Sequence, residues 1–387
     1  MPGAGARRLL YCSTVSPQST AAGELLVHRH LSRLVNWDVM IVTPDHKPVS
    51  AGFNPALEVA LPSLPKWMQR SRRGMLFGCA DSLASRWLFR RFAELADRFQ
   101  PDVVLSVMVP DSFLSSAALY SNLHGLRFVL LCHDDYSDFV PASGRALLGR
   151  VYRQASARLC VSQAMEQEFF RRYGVHGEVL PPIPSGLAGA VTNTGEGEQL
   201  VVGFAGSIGA GYAEAIINLA DVLGREEGRL VIASPTNRNQ FEKVFAHPAV
   251  IDLGLLAPDE VRKRFFESGV NVLSVIQSFA REDMRAFRVN FPSKLSEYST
   301  YGLPVLVVAP ESASASTWAS DNPGAALVVH TVDRYEMEIA VRRLRNAQER
   351  RAFAQAMRAA ANAFDPDLMQ GQFEKALIGP AGAARGG

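Results

Sequence analysis

The sequence predicts an α/β protein made of two doubly wound parallel-sheet domains in series. Three observations carry that expectation. Apolar, strand-like runs alternate with segments of helical spacing, the pattern of parallel strands covered by helices on both faces. The alternation halts once, at Val179-Leu-Pro-Pro-Ile-Pro-Ser-Gly186 and the polar stretch 190–199, and then resumes. At 387 residues the chain is also longer than one open-sheet core usually holds.

The first series opens with a strand over Leu9–Val15. A polar loop, Ser16-Pro-Gln-Ser-Thr-Ala-Ala-Gly-Glu24, leads into a helix over Gly23–Val35. Val39–Thr43, Val103–Val109, Phe128–Cys132 and Ala157–Val161 are short apolar runs of strand length. Ser82–Phe99, Ser112–Leu123 and Met165–Tyr173 carry helical periodicity between them. The second series places strands at Leu200–Ala205, Leu230–Ala233, Val250–Leu253, Val270–Val275, Val305–Ala309 and Ala326–Val329. Its helices fall at Ala213–Leu223, Asp259–Glu267, Leu295–Tyr301 and Arg334–Arg345, with a further one at Asp367–Leu377. The expected domains are therefore 1–189 and 200–364, with 190–199 as linker and 365–387 as a terminal helix and frayed tail.

Composition narrows the function. A formal net charge of +2 predicts no bulk attraction to nucleic acid. Cys12, Cys79, Cys132 and Cys160 are far apart and show no metal-ligand spacing, so reduced buried thiols are expected. Leu9–Cys12 is too short for a signal-peptide apolar region, and no run approaches the roughly 20 apolar residues that span a bilayer. A soluble cytoplasmic protein is the expectation. From Lys66 to Arg98, eight basic residues stand against three acidic ones, with aromatics between them. This suits peripheral contact with an anionic membrane face or a polyprenyl-diphosphate-linked acceptor. The plainer reading is a helix whose aromatics pack on the sheet while its arginines face water. No hydrolase elbow, P-loop or H-E-x-x-H is present.

The richest block is Phe291-Pro-Ser-Lys-Leu-Ser-Glu-Tyr-Ser-Thr-Tyr-Gly-Leu-Pro-Val-Leu-Val-Val-Ala309. It reads as a helix start at Pro292-Ser293, a stop at Gly302 and a buried strand. Free N–H groups at the helix start, with the charge of Lys294, describe an anion site that fits phosphate. Glu297, one turn on, can accept from a ribose hydroxyl pair. A second phosphate-type turn, Val201-Val-Gly-Phe-Ala-Gly-Ser-Ile-Gly-Ala-Gly-Tyr212, follows a strand and leads into a helix near Tyr212. Gly206, Gly209 and Gly211 would let the backbone approach a diphosphate there, although a ligand-free strand–helix turn uses the same residues. His133 and Asp134 close the strand Phe128–Cys132 at its carboxyl edge, where a His near neutrality can move a proton; strand and turn capping is the alternative. Gly23 would allow a close approach at the first helix's start, or simply form a capped turn.

The 291–309 block resembles the donor-binding signature of family-4-type GT-B glycosyltransferases. That resemblance implies a GT-B fold, two Rossmann-like domains facing across a cleft, with the last helix crossing back to the first. It implies a retaining, metal-independent hexosyl transfer from a nucleotide-diphosphate sugar, used as co-substrate with no other cofactor. The acceptor would be a glycan, glycolipid or small molecule. Asn290, Ser293, Lys294, Leu295 and Glu297 would bind the donor with Gly23, Gly206, Ser207 and Gly209, while His133, Asp134 and Lys294 would serve catalysis. Two departures stand out. Family members carry an Arg just after the first glycine and a Lys soon after it, where this chain has Ser207 and Ala210-Gly-Tyr. Many also carry a Glu eight residues before the ribose-binding one, where this chain has Val289 beside Asn290. Arg281 or Arg288 would then help Lys294 neutralise the diphosphate. The rivals are a sugar-nucleotide epimerase or hydrolase of the same fold and a non-catalytic binding protein.

Overall fold

The computed structural model describes residues 6–18, 22–44, 55–61, 74–137, 140–190 and 199–379, with the backbone alone at 22, 74–84 and 259. Its contacts divide the chain into two units: Met1–Leu180 with Gln370–Gly387, and Pro181–Met369. The division falls at Leu180 and Met369, against the 189 and 364 read from the sequence. Segment 181–190 accounts for part of that difference, since it lies along the second unit's chain; the Gly189 N–H donates to Ser299 O at 3.1 Å.

In the first unit the strands are β1 Arg7–Cys12, β2 Trp37–Pro44, β3 Leu57–Leu61, β4 Val103–Val107, β5 Arg127–Cys132, β6 Ala157–Cys160 and β7 Glu178–Val179. They form one parallel sheet in the order β3-β2-β1-β4-β5-β6-β7. The helices are α1 Ala22–Ser32, α2 Gly74–Phe99, α3 Ser112–Leu123, α4 Ala142–Gln154 and α5 Gln163–Tyr173. Order reverses between β1 and β4, and open α/β sheets bind ligands outside such a switch point. The terminal residues from Gln370 onward return to this unit. Gln370 Oε1 lies 3.1 Å from His30 Nδ1, Phe373 stacks on the His30 ring at 4.4 Å, and Arg127 Nε donates to Ala376 O at 2.7 Å.

The second unit repeats the plan. Its strands are β8 Val201–Ala205, β9 Arg229–Ala233, β10 Val250–Gly254, β11 Val272–Ile276, β12 Val305–Val308 and β13 Ala326–Val329. All run parallel in the order β10-β9-β8-β11-β12-β13. Helices α6 Ala210–Arg225, α7 Glu242–Phe245, α8 Pro258–Glu267, α9 Met284–Val289 and α10 Ser293–Tyr298 precede β12. After it come α11 Ser314–Asp321, α12 Arg334–Arg345 and α13 Ala347–Ala360, while α14 Pro366–Ile378 belongs to the first unit from Gln370 onward. Phe204, Ile216 and Leu219 pack on one sheet face, and Phe265, Leu273 and Tyr298 on the other, all essentially inaccessible. Burying each such apolar side chain contributes about 1.5–3 kcal/mol, which anchors both faces of the sheet on which the site is built.

Residues 66–73 of the basic-aromatic segment lie outside the described residues. In the described part of α2, Leu88 and Phe92 are buried, and Phe92 meets Tyr120 edge-on at 5.5 Å. Arg86, Arg90 and Arg91 are exposed, as is Trp87. Phe92 thus follows the plainer packing reading and Trp87 does not. Among the described residues, no helix is long and apolar enough to cross a membrane.

Candidate functional site

In the second unit, β8 ends at Ala205 and the chain turns at Gly206 with φ +131°, a conformation that side chains rarely adopt. Sterics add a second demand. A Cβ at Gly206 would lie 2.5 Å from Lys294 Cε and 2.7 Å from its Nζ. The turn therefore closes directly over the lysine, joining two segments that the sequence places almost ninety residues apart. The Lys294 amine lies 4.2 Å from the centroid of the Phe204 ring, a cation–π contact. No carboxylate pairs with it among the described residues, and burial lowers its pKa to about 8.

Beyond the turn, the Ile208 N–H donates to Thr236 Oγ1 at 2.7 Å and Ser207 is exposed. Helix α6 starts at Ala210, two residues before the expected start near Tyr212, with Gly209 as an extended N-cap that has no side-chain cap bond. Sixteen residues long, α6 presents a full helix dipole at this turn. Gly211 has a different job from the one expected. A Cβ there would lie 1.8 Å from Ser278 Oγ, so this glycine admits the 277–283 loop rather than a ligand.

Helix α10 carries Ser293, Lys294, Leu295 and Glu297. It has only six residues, so its dipole is slight. Leu295 is a core side chain with no exposure, and its N–H donates to Pro292 O at 2.9 Å. The Ser293 carbonyl accepts from Ser296 Oγ at 2.9 Å. Tyr298 ties the helix to the sheet: the Ala205 N–H donates to its hydroxyl at 3.0 Å. Glu297 holds a residue that the sequence did not single out. Its Oε1 accepts from Ser185 Oγ at 2.5 Å, and its Oε2 accepts from the Ser185 N–H at 3.1 Å. Arg281 and Arg288 are exposed. The helix of Arg288, α9, packs beside the start of α6 through an edge contact of Phe287 with Tyr212 at 5.7 Å. Asn290 caps α9; its N–H donates to Ala286 O at 2.8 Å and its carbonyl accepts from Ser314 Oγ at 2.6 Å.

In the first unit, His133 follows β5 with Nε2 at 3.3 Å from Asp134 Oδ2. Its Nδ1 is buried without a protein partner, and burial lowers its pKa, so the ring is neutral near pH 7. Gly23 sits against this ring: a Cβ there would lie 2.6 Å from Nε2. The glycine at the start of α1 therefore makes room for His133, whereas the sequence suggested approach to a ligand. Asp134 and Asp135 diverge. Asp135 is buried and paired with Arg172 at 2.5 Å, which draws its pKa down against the cost of burial. Asp134 is half-exposed, 3.4 Å from the Tyr136 hydroxyl. Asp111, just past β4, was also missed. Its Oδ2 accepts from Thr14 Oγ1 at 2.6 Å and its Oδ1 from the Leu114 N–H at 2.9 Å, while burial raises its pKa to about 6. Among the described residues, no group of three His, Cys, Asp or Glu side chains is placed to hold a metal.

The family model described as Glycosyltransferase Family 4 matches residues 25–187. No curated protein matched the sequence. Among solved structures, Anabaena HepE in complex with UDP and glucose aligns with a TM-score of 0.67 at 14% identity, covering 96% of this chain and 99% of that one. Sucrose-phosphate synthase from Thermosynechococcus elongatus aligns at 0.64 and 13% identity, over 96% and 98%. A glycosyltransferase from Rickettsia africae aligns at 0.67 and 10% identity, over 97% and 100%. The two parallel-sheet units and this full-length likeness make the fold GT-B.

Proposed function

We propose that the chain is a glycosyltransferase that binds a nucleotide-diphosphate sugar on its second unit and moves the sugar to a hydroxyl acceptor. The observation that carries this reading is the half-buried Lys294 amine, which has no anionic partner among the described residues and is closed over by the Gly206 turn that leads into α6. A half-buried cation beside a helix N-terminus is well placed to receive an anion. A diphosphate supplies it, and Glu297 three residues along the same helix offers a carboxylate to a ribose diol. The family match over 25–187 and the UDP in the HepE complex support the same ligand class.

In the reaction, the bond from the sugar's anomeric carbon to the diphosphate oxygen breaks and a bond from that carbon to the acceptor oxygen forms. Lys294 and the backbone N–H groups take up the charge that develops on the leaving diphosphate, the term that dominates such catalysis. The acceptor's proton passes to a diphosphate oxygen when the acceptor attacks from the departing side, with retained configuration. His133, neutral and supported by Asp134, orients the sugar or assists that proton. The exposed Trp87, set among Arg86, Arg90 and Arg91, suits a glycolipid acceptor at an anionic surface, in polysaccharide or glycoconjugate synthesis.

A second reading has its own observation: Val289 is buried where many relatives carry the sugar-contacting Glu. A protein that binds the donor without transferring it would tolerate that change.

A thermal-shift screen against UDP, GDP, ADP and TDP and their sugars tests the proposal. A ligand that binds only the native state at a hundred times its dissociation constant adds about 2.7 kcal/mol. One nucleotide should give a selective rise, and Lys294→Ala should then cut turnover about 10²–10³-fold with the fold intact. Transfer unaffected by Lys294→Ala would reject the assignment, and donor binding without transfer to any acceptor would favour the second reading.

A further inference from the structure

Resting on the donor reading above, we propose that Ser185 is a stand-in for the ribose: its N–H and O–H hold the Glu297 carboxylate as a vicinal diol would, and a bound nucleoside diphosphate displaces them. One donor goes to each carboxylate oxygen, at 3.1 Å and 2.5 Å, so the pair satisfies Glu297 in the bidentate manner expected of a 2′,3′-diol. Ser185 is exposed, and exposed hydrogen bonds are those a ligand exchanges at least cost.

Chain geometry explains how the serine is held yet releasable. Pro182, Ile183 and Pro184 are buried, and their prolines fix an extended approach that delivers Ser185 to the helix α10 face. Gly189 clamps the far side. A Cβ there would lie 2.3 Å from Thr300 O, and its N–H donates to Ser299 O. Between the two anchors stands Gly186, with nothing within 4 Å of the position its Cβ would take. The segment is thus pinned at both ends and free at one glycine beside Ser185, a swivel on which the serine can leave Glu297 while the rest stays docked.

The consequence is a specificity device for the sugar of the nucleotide. Only a ligand that presents two hydroxyls can replace both bonds that Ser185 gives up. A deoxy ligand has no group to displace it with, so the serine stays on Glu297 and the ligand binds through its phosphates alone.

The experiment measures binding of the nucleoside diphosphate selected among UDP, GDP and ADP, and of its 2′,3′-dideoxy counterpart, to the wild-type chain and to Ser185→Ala by calorimetry. Removing the hydroxyl should tighten the ribonucleotide about three- to tenfold and leave the dideoxy compound unchanged. Hydrogen exchange gives an independent reading: the Ser185 amide should exchange faster when the ribonucleotide is bound to the wild type. Equal or weaker ribonucleotide binding by Ser185→Ala, with slower exchange at Ser185 on binding, would show that the serine positions Glu297, and would overturn the proposal while leaving the donor site intact. A wild type that binds no nucleotide would instead remove the donor reading and this inference with it, and one that binds ribo and dideoxy forms alike would overturn the inference while leaving the diphosphate site standing.

Discussion

At the scale of single residues, Lys294 is the group on which the chemistry turns, and its protonation is testable by pH. Burial lowers its pKa to about 8 from the 10.5 of an exposed lysine, so the ammonium is disfavoured by the fold. For stability, that cost is relieved as pH rises from 8 towards 10.5, where the unfolded chain holds more protons than the folded one. Binding has the opposite sign. A diphosphate stabilises the ammonium, so above pH 8 the protein must take up a proton to bind it. Affinity for the nucleoside diphosphate should fall by up to about tenfold per pH unit between 8 and 9.5. Calorimetry in buffers of different ionisation enthalpy should show the matching proton uptake, and Lys294→Arg should flatten the profile. A flat profile in the wild type would mean that the lysine does not meet phosphate. Lys294 and Glu297 were legible in the sequence because their arrangement is local, three residues apart in one short helix. Ser185 was not, because its partner lies 112 residues along the chain and proline-rich connectors carry no signal for a side-chain contact.

At the scale of elements, two helix glycines make a contrast that the sequence alone cannot draw. Gly23 near the start of α1 touches the His133 ring, while Gly371 in α14 has nothing within 4 Å of the place its Cβ would take. Glycine inside a helix costs about 0.5–1 kcal/mol relative to alanine. Gly371→Ala should therefore raise stability by up to about 1 kcal/mol without touching activity. Gly23→Ala gains propensity too, yet must displace the imidazole, so kcat/KM should drop about 10²-fold, the loss that a misplacement of about 1 Å can bring. Melting curves and steady-state kinetics on the two variants separate these effects, and equal kinetics would mean that His133 has no part in the reaction. The same contrast explains which elements were readable. Core strands such as Val103–Val107 and Val305–Val308 are buried throughout and announce themselves as apolar runs, broken in the first only by Ser106. The edge strand β3 is mostly exposed, α4 buries little beyond Leu148, Gly149, Val151 and Tyr152, and α9 has six residues in a polar loop. These elements are specified by what they pack against, which a local pattern does not contain.

At the scale of the whole molecule, the two units should answer acid differently. His28, His30 and His133 all belong to the unit formed by Met1–Leu180 and Gln370–Gly387, and burial lowers the pKa of each. His30 falls to about 4, since burial and the nearby Arg33 outweigh the bond to Gln370. A depressed histidine pKa means that the unfolded chain binds the proton first. Stability is thus present above pH 6.5 and lost as pH falls towards 4, by about 3 kcal/mol for His30 alone. Asp111 opposes this. Its pKa is raised to about 6, so the folded unit takes up a proton there before the unfolded chain does, and gains stability as pH falls. Three histidines against one carboxyl leave a net loss. The carboxylates held low by arginines, Asp135 and Glu168, act only at more acid pH, so the interval from 7.5 to 5 reports the histidines together with Asp111. Hydrogen exchange corrected for intrinsic rates should show protection falling in β1, β4 and β5 over that interval and holding in β8, β11 and β12. His30→Leu should reduce the slope and Asp111→Asn should steepen it. Equal loss in both sheets would mean that the units unfold as one, and that the C-terminal return through Gln370, Phe373 and Ala376 does not give the first unit a stability of its own.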